Sequence, residues 1–234
     1  MPRPSEIQAV PARRSPAGRY GLLLLVLIAS YVLSAFNGRT LGGELQLGFF
    51  AVVLLLTLRT SSLPRGGTIL ACAVTLGGSA VALGLDLTGT QAGAGAAQLW
   101  KGAMLLLAVV LIVRRVLAKP SVTIQSIYGA LSAYIIIGLM FAACYSAIGY
   151  LDGGPFFTGG QAASTETFQY FSFTTLTTLG YGDFTAASNG GRAIAVMEAL
   201  TGQVFLATLV ARLVAAFRAP AEPPGEQSAG RGDP

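Results

Sequence analysis

Six apolar stretches mark out this chain, at Tyr20–Phe36, Leu45–Leu58, Thr68–Leu85, Leu99–Leu117, Ile124–Ile148 and Ala193–Phe217. A hydrocarbon core about 30 Å thick takes roughly 20 helical residues to cross. Leu45–Leu58 is short for that, so it must recruit flanking residues or thin the bilayer locally. Inside a bilayer the backbone has no water to bond, and helices satisfy every N–H and C=O internally. The expectation is an all-α integral membrane protein with six transmembrane helices. Composition agrees, because only 11% of the residues are charged, against about 25% in soluble domains.

The net charge of +5 invites comparison with nucleic-acid binders. The basic residues, however, sit at the ends of apolar segments and form no polar face, so no nucleic acid is expected. Alternate assignment of the loops, with both termini cytoplasmic, puts twelve of the fifteen Lys and Arg inside and leaves Arg39, Lys101 and Arg192 outside, as the positive-inside rule requires. Arg3, Arg13, Arg14 and Arg19 before the first run resemble the charged region of a secretory signal. The run is longer than a signal core and five more follow, so cleavage is not expected. Cys72 and Cys144 lie within apolar runs and read as packing residues rather than metal ligands or a disulfide.

Lys119-Pro120 interrupts the chain between the fourth and fifth runs, and proline disfavours helix in the residue before it. The expected division is a tail over 1–19, a peripheral four-helix unit over 20–118, a second unit over 119–218, and a disordered tail over 219–234, rich in Pro, Gly and charge.

Between the last two runs, Thr165–Asn189 is unusually rich in Thr, Gly and aromatic residues. Ser164 or Thr165 can cap a short helix from Glu166 to about Thr177. After it, Thr178-Leu179-Gly180-Tyr181-Gly182-Asp183 must leave helical geometry, because its glycines permit backbone conformations that L-residues resist. Irregular backbone at membrane depth is tolerated only where protein buries it or where it lines a watery pathway. Carbonyls facing such a pathway could replace the water around a cation. The run Thr174-Thr175-Leu176-Thr177-Thr178-Leu179-Gly180-Tyr181-Gly182-Asp183 resembles the selectivity filter of potassium channels. Chance occurrence of Thr-x-Gly-Tyr-Gly-Asp is on the order of one in a million per position.

That resemblance implies a homotetramer, with a re-entrant helix and filter between the fifth and sixth spans. The carbonyls of Thr178, Leu179, Gly180 and Tyr181, with the Thr178 hydroxyl and Gly182 above them, would hold a file of potassium ions as the permeant ligand. Tyr181 would enter an aromatic cuff with Tyr170 and Phe171, and Asp183 would tie the outer mouth to the short helix. The family usually has Val or Ile where this chain has Leu179, a change expected to spare selectivity and to affect conductance or filter stability.

The last run resembles the inner helix of bacterial potassium channels. There Gly202 is a gating hinge by resemblance or a site of close helix packing. Gln203, Leu206, Val210 and Val214 follow at helical spacing and would line the inner cavity, although a plain packing stripe predicts the same pattern. Glu198 is the one acid well inside a span, and such a carboxylate implies a partner or a function. It is expected to reach Thr174 or Thr175 on the short helix, the alternative being a cavity acid that attracts cations.

Six spans with the filter before the last resemble voltage-gated architecture. A sensor needs several cations at every third position, yet the fourth run holds only Lys101 at one end and Arg114 and Arg115 at the other. The expectation is therefore a passive potassium-selective channel without a conventional voltage sensor, set among membrane lipid, in a bacterial inner membrane by resemblance. It has no catalytic residues, no cofactor and no metal other than permeant potassium. The rivals are a weakly selective cation channel and a nonconducting scaffold or regulatory subunit.

Overall fold

A computed structural model of the chain describes residues 19–36, 54, 65–118 and 122–218. Among these the fold is all helical: α1 (Arg19–Phe36), α2 (Arg65–Leu87), α3 (Gln91–Leu117), α4 (Ile124–Leu151), α5 (Thr165–Leu176) and α6 (Asn189–Arg218). Four of them are long and apolar enough to cross a membrane, over Gly66–Leu87, Gln91–Leu117, Ile124–Leu151 and Asn189–Ala215. The predicted second span lies outside the described residues, apart from Leu54, which is helical and buried. Both predicted tails lie outside them as well.

Local chemistry explains where the helices start. The Thr90 hydroxyl accepts from Gly93 N at the head of α3. Thr123 with Ser126 forms a capping box on α4, and Ser164 with Thr167 forms another on α5. Each box supplies partners for backbone N–H groups that a helix leaves unbonded in its first turn.

The start of α3 departs from expectation. The apolar run begins at Leu99, but the helix begins eight residues earlier, because the Gly-rich and Ala-rich stretch from Gln91 is a packing surface rather than a loop. A Cβ on Gly93 would lie 2.3 Å from Leu85 O, and one on Gly95 would lie 2.9 Å from Leu151 Cδ2. Side chains larger than hydrogen cannot enter there. Lys101, expected on the outer side at the end of the fourth run, is in consequence ten residues inside α3, about 15 Å along it at 1.5 Å per residue, and only 5% exposed. It borders a small cavity with Gln98, Ser146 and Gln169.

α4 is the centre of the molecule. It packs along α3 on one side and against α1, α5 and α6 on others. One core joins Leu23, Leu27, Leu54, Leu105, Ile112, Ala133 and Ile136. A second, around Tyr145, Phe156, Phe157, Phe168 and Phe171, fixes α5 against α4. α5 has 12 residues, about 18 Å of helix, too short to cross a hydrocarbon core of about 30 Å.

Candidate functional site: the segment after α5

Thr177 closes α5 in ordinary right-handed geometry, and the backbone then alternates. Thr178, Gly180 and Gly182 have φ of +58°, +47° and +81°, while Leu179 and Tyr181 between them stay negative. Among the described residues Thr178 is the one non-glycine in that region. A β-branched residue there is an outlier, with strain of about 1–3 kcal/mol. Alternation of this kind gathers successive N–H groups on one side and leaves the carbonyls to the other. The N–H groups of Leu179 and Gly180 both donate to Thr174 O, at 2.8 and 3.1 Å, and that of Thr178 donates to Thr175 O at 2.9 Å. No hydrogen bond from the described residues reaches a carbonyl of Thr178, Leu179, Gly180, Tyr181 or Gly182. Five successive acceptors are thus held on an exposed edge.

Both ends of the segment are tied down. Thr178 Oγ1 donates to Thr177 O at 2.7 Å and accepts from Gln203 Nε2 of α6 at 3.3 Å. Asp183 Oδ2 accepts from the Tyr170 hydroxyl at 2.8 Å, and Asp183 O accepts from Gln161 Nε2 at 2.9 Å. Beyond it, Ala186 bridges to Phe157, and the Thr158 and Thr185 hydroxyls meet at 2.6 Å. Tyr170→Phe is expected to leave the helical bundle intact and to loosen this anchor, as faster amide hydrogen exchange at Gly182 and Asp183 would report.

The expected cuff is not formed within one chain. Tyr181 is 68% exposed, and the Tyr170 ring packs on Phe184 at 5.5 Å. Phe171 turns the other way, with Tyr145 at 4.9 Å and Phe157 at 5.7 Å. One residue along a helix rotates a side chain by about 100°, which carries Phe171 to the face of α5 that meets α4.

Glu198 is fully buried and does reach α5, but at Ser172 rather than Thr174 or Thr175. Oε1 accepts from Ser172 Oγ at 2.5 Å, and Oε2 accepts from the Tyr145 hydroxyl of α4 at 2.6 Å. Ser172 Oγ also lies 2.6 Å from Gly138 O, so its single proton serves two acceptors by turns. The carboxyl therefore joins α4, α5 and α6. Thr174 instead donates to Phe171 O at 3.0 Å.

The register of α5 on α6 accounts for the difference. Leu176 lies against Gly202, and one turn back along both helices Ser172 lies against Glu198.

Gly202 is a contact surface in this structure. A Cβ there would lie 2.3 Å from Leu176 O, the carbonyl that also accepts from the Tyr134 hydroxyl at 3.2 Å. α6 runs through Gly202 without interruption, and of the two sequence readings the close contact is the one with geometry behind it. Gly202→Ala gains up to about 1 kcal/mol of helix propensity and meets about 1–3 kcal/mol of overpacking. The expected result is a small change in thermal midpoint but clearly faster amide hydrogen exchange at Leu179 and Gly180, because the displaced atom is the last carbonyl of α5. Gln203, Val210 and Val214 are exposed along one edge of α6, and Leu206 is half-buried there.

Sequence reasoning missed Tyr145, Ser172, Tyr134 and Gln161. Tyr145 looks like one more core aromatic, and nothing distinguishes Ser172 from the threonines beside it until the helix register is known. No curated protein matches the chain. A family model described as "Ion channel" matches residues 129–219, which takes in nearly all of α4, then α5, the alternating segment and α6. Together with the apolar helices the match supports a membrane-embedded, multi-pass protein whose stretch from Gly129 onward is similar to an ion channel family, and an ion-channel function seated there.

Proposed function

We propose that the chain is one subunit of a homotetrameric, potassium-selective channel that conducts passively across a cell membrane. The observation that supports this reading is the row of five exposed residues from Thr178 to Gly182, with alternating φ and with the N–H groups of the first three already bonded to α5, which leaves their carbonyls open. Such a row can replace the hydration shell of a monovalent cation. One chain offers carbonyls from one side only, so a closed ring takes several copies, and the potassium-filter sequence argues for four. In this reading α5 is a re-entrant pore helix, α4 and α6 are the outer and inner helices, and Gln203, Leu206, Val210 and Val214 face the cavity beneath the filter.

α3 carries Lys101, Arg114 and Arg115 with no ladder of cations between, which argues against conventional voltage sensing. The test is the mass of the detergent-purified complex, with potassium flux from liposomes containing it alone. Four chains and flux are the expected result. A conducting species of another stoichiometry would overturn the tetramer, and a tetramer inert over a range of voltage and pH would favour the scaffold.

A further inference from the structure

A cavity of about 430 Å³ lies between α3, α4 and α6, near the end of the bundle where α3 and α6 finish. It falls within the size of ordinary ligand pockets, roughly 300–1,000 Å³. Val116 and Leu117 of α3, Ala133 of α4, and Val204, Phe205 and Arg212 of α6 are among the residues that line it. Its two threonines donate their hydroxyl protons to their own helix, Thr201 to Met197 O and Thr208 to Val204 O, both at 2.7 Å. The ionic group of the cavity is then the Arg212 guanidinium. Its Nη2 reaches Leu117 O, at the last residue of α3, at 3.5 Å, which places it where the helix ends.

Charge narrows the occupant. α3 and α4 contain no Asp or Glu, and α6 has none after Glu198, whereas Arg114 and Arg115 close α3 and Arg218 closes α6. A second copy of this chain docked here by the same face would bring its own arginines to a mouth already cationic. Water would need polar walls. An apolar slot with a cation at its mouth fits an amphiphile with a negative head.

We propose that the cavity holds an acyl chain of an anionic phospholipid from the leaflet on that side, with its phosphate at Arg212. Basic pockets between spanning helices bind anionic headgroups in this way, and a long arginine side chain can reach the interface from inside the bilayer. At 100° per residue, Thr201, Phe205, Thr208 and Arg212 form a stripe on α6 opposite the stripe of Gln203, Leu206, Val210 and Val214. On the channel reading, the lipid therefore bears on the inner helix from the side away from the pore.

Native mass spectrometry of the detergent-purified assembly, titrated with phosphatidylglycerol or phosphatidylcholine, tests the site without reference to conduction. Phosphatidylglycerol is expected to bind more tightly. Arg212→Gln should weaken it about fivefold, the contribution of one arginine at a lipid surface, and weaken phosphatidylcholine less, because its choline already offsets its phosphate. Val204→Trp, which fills the slot from a position 65% exposed, should weaken both. Affinities unchanged in both variants would put the lipid elsewhere, and an equal loss in Arg114→Gln would reduce the effect to diffuse surface charge. Cross-linking of Val204→Cys to a neighbouring copy, with no lipid retained, would give the slot to that copy. Each of these results overturns the proposal.

Discussion

Gly180→Ala is expected to abolish potassium flux while leaving the helical bundle assembled. The φ of +47° at this position costs an L-residue about 1–2 kcal/mol, and in the proposed four-subunit ring the cost recurs in every copy. Among the described residues nothing lies within 4 Å of an added Cβ, so the penalty is one of backbone conformation rather than of overlap. The backbone can escape it by rotating the peptide, which removes a carbonyl from the row. Helix packing elsewhere is untouched, so the thermal midpoint in detergent should move little as liposome flux vanishes. A variant with normal flux would show that the alternating backbone is not the conducting element. Loss of flux together with collapse of the assembly would mean that Gly180 acts through folding.

Glu198→Ala should have the largest effect on stability. It removes the acceptor of a buried Tyr145 hydroxyl and empties space where α4, α5 and α6 meet. Truncating a buried side chain of this size costs about 2–5 kcal/mol. Hydrogen bonds between spanning helices average only about 0.6 kcal/mol, so most of the loss comes from the vacated volume and the stranded hydroxyl.

Glu198→Gln separates these contributions. Glutamine keeps the shape, its carbonyl can accept from Tyr145, and its amide can donate to Ser172, whose own proton is then given to Gly138 O. Its thermal midpoint should lie close to that of the parent, and Tyr145→Phe should cost less in the Glu198→Ala background than in the parent, since the two groups are coupled. Equal destabilisation by Gln and Ala would contradict the bridging arrangement.

How much of this could be read from the sequence depends on what each feature required. Glycines at 180 and 182 announce positive φ because few other residues tolerate it, and their alternation with bulkier neighbours made the irregular segment legible. Thr178 shares that conformation against its own preference, held by Gln203 and Thr177, and no local rule signals it. The start of α5 was legible from Ser164, and that of α4 from the apolar run that begins at Ile124 after Lys119-Pro120. The start of α3 was not, since Gly and Ala read as loop until the close approach of α2 and α4 gives them a purpose. For the same reason Lys101 was placed at the outer end of a run although it is buried well inside α3. Glu198 was conspicuous as an acid in an apolar run, but its partners depend on the register of α5 on α6, which is a tertiary fact. Phe171 points toward α4 because the aromatic cluster there claims it, a choice that helical spacing alone leaves open.

The most direct test of the central claim is the reversal potential of currents through planar bilayers containing only this purified protein, with potassium on one side and sodium on the other. A value close to that of a potassium-selective membrane, with the current absent in Gly180→Ala, is the predicted result. A reversal near zero would contradict the proposed potassium selectivity and point to Leu179, the position at which the sequence departs from the potassium-filter pattern it resembles.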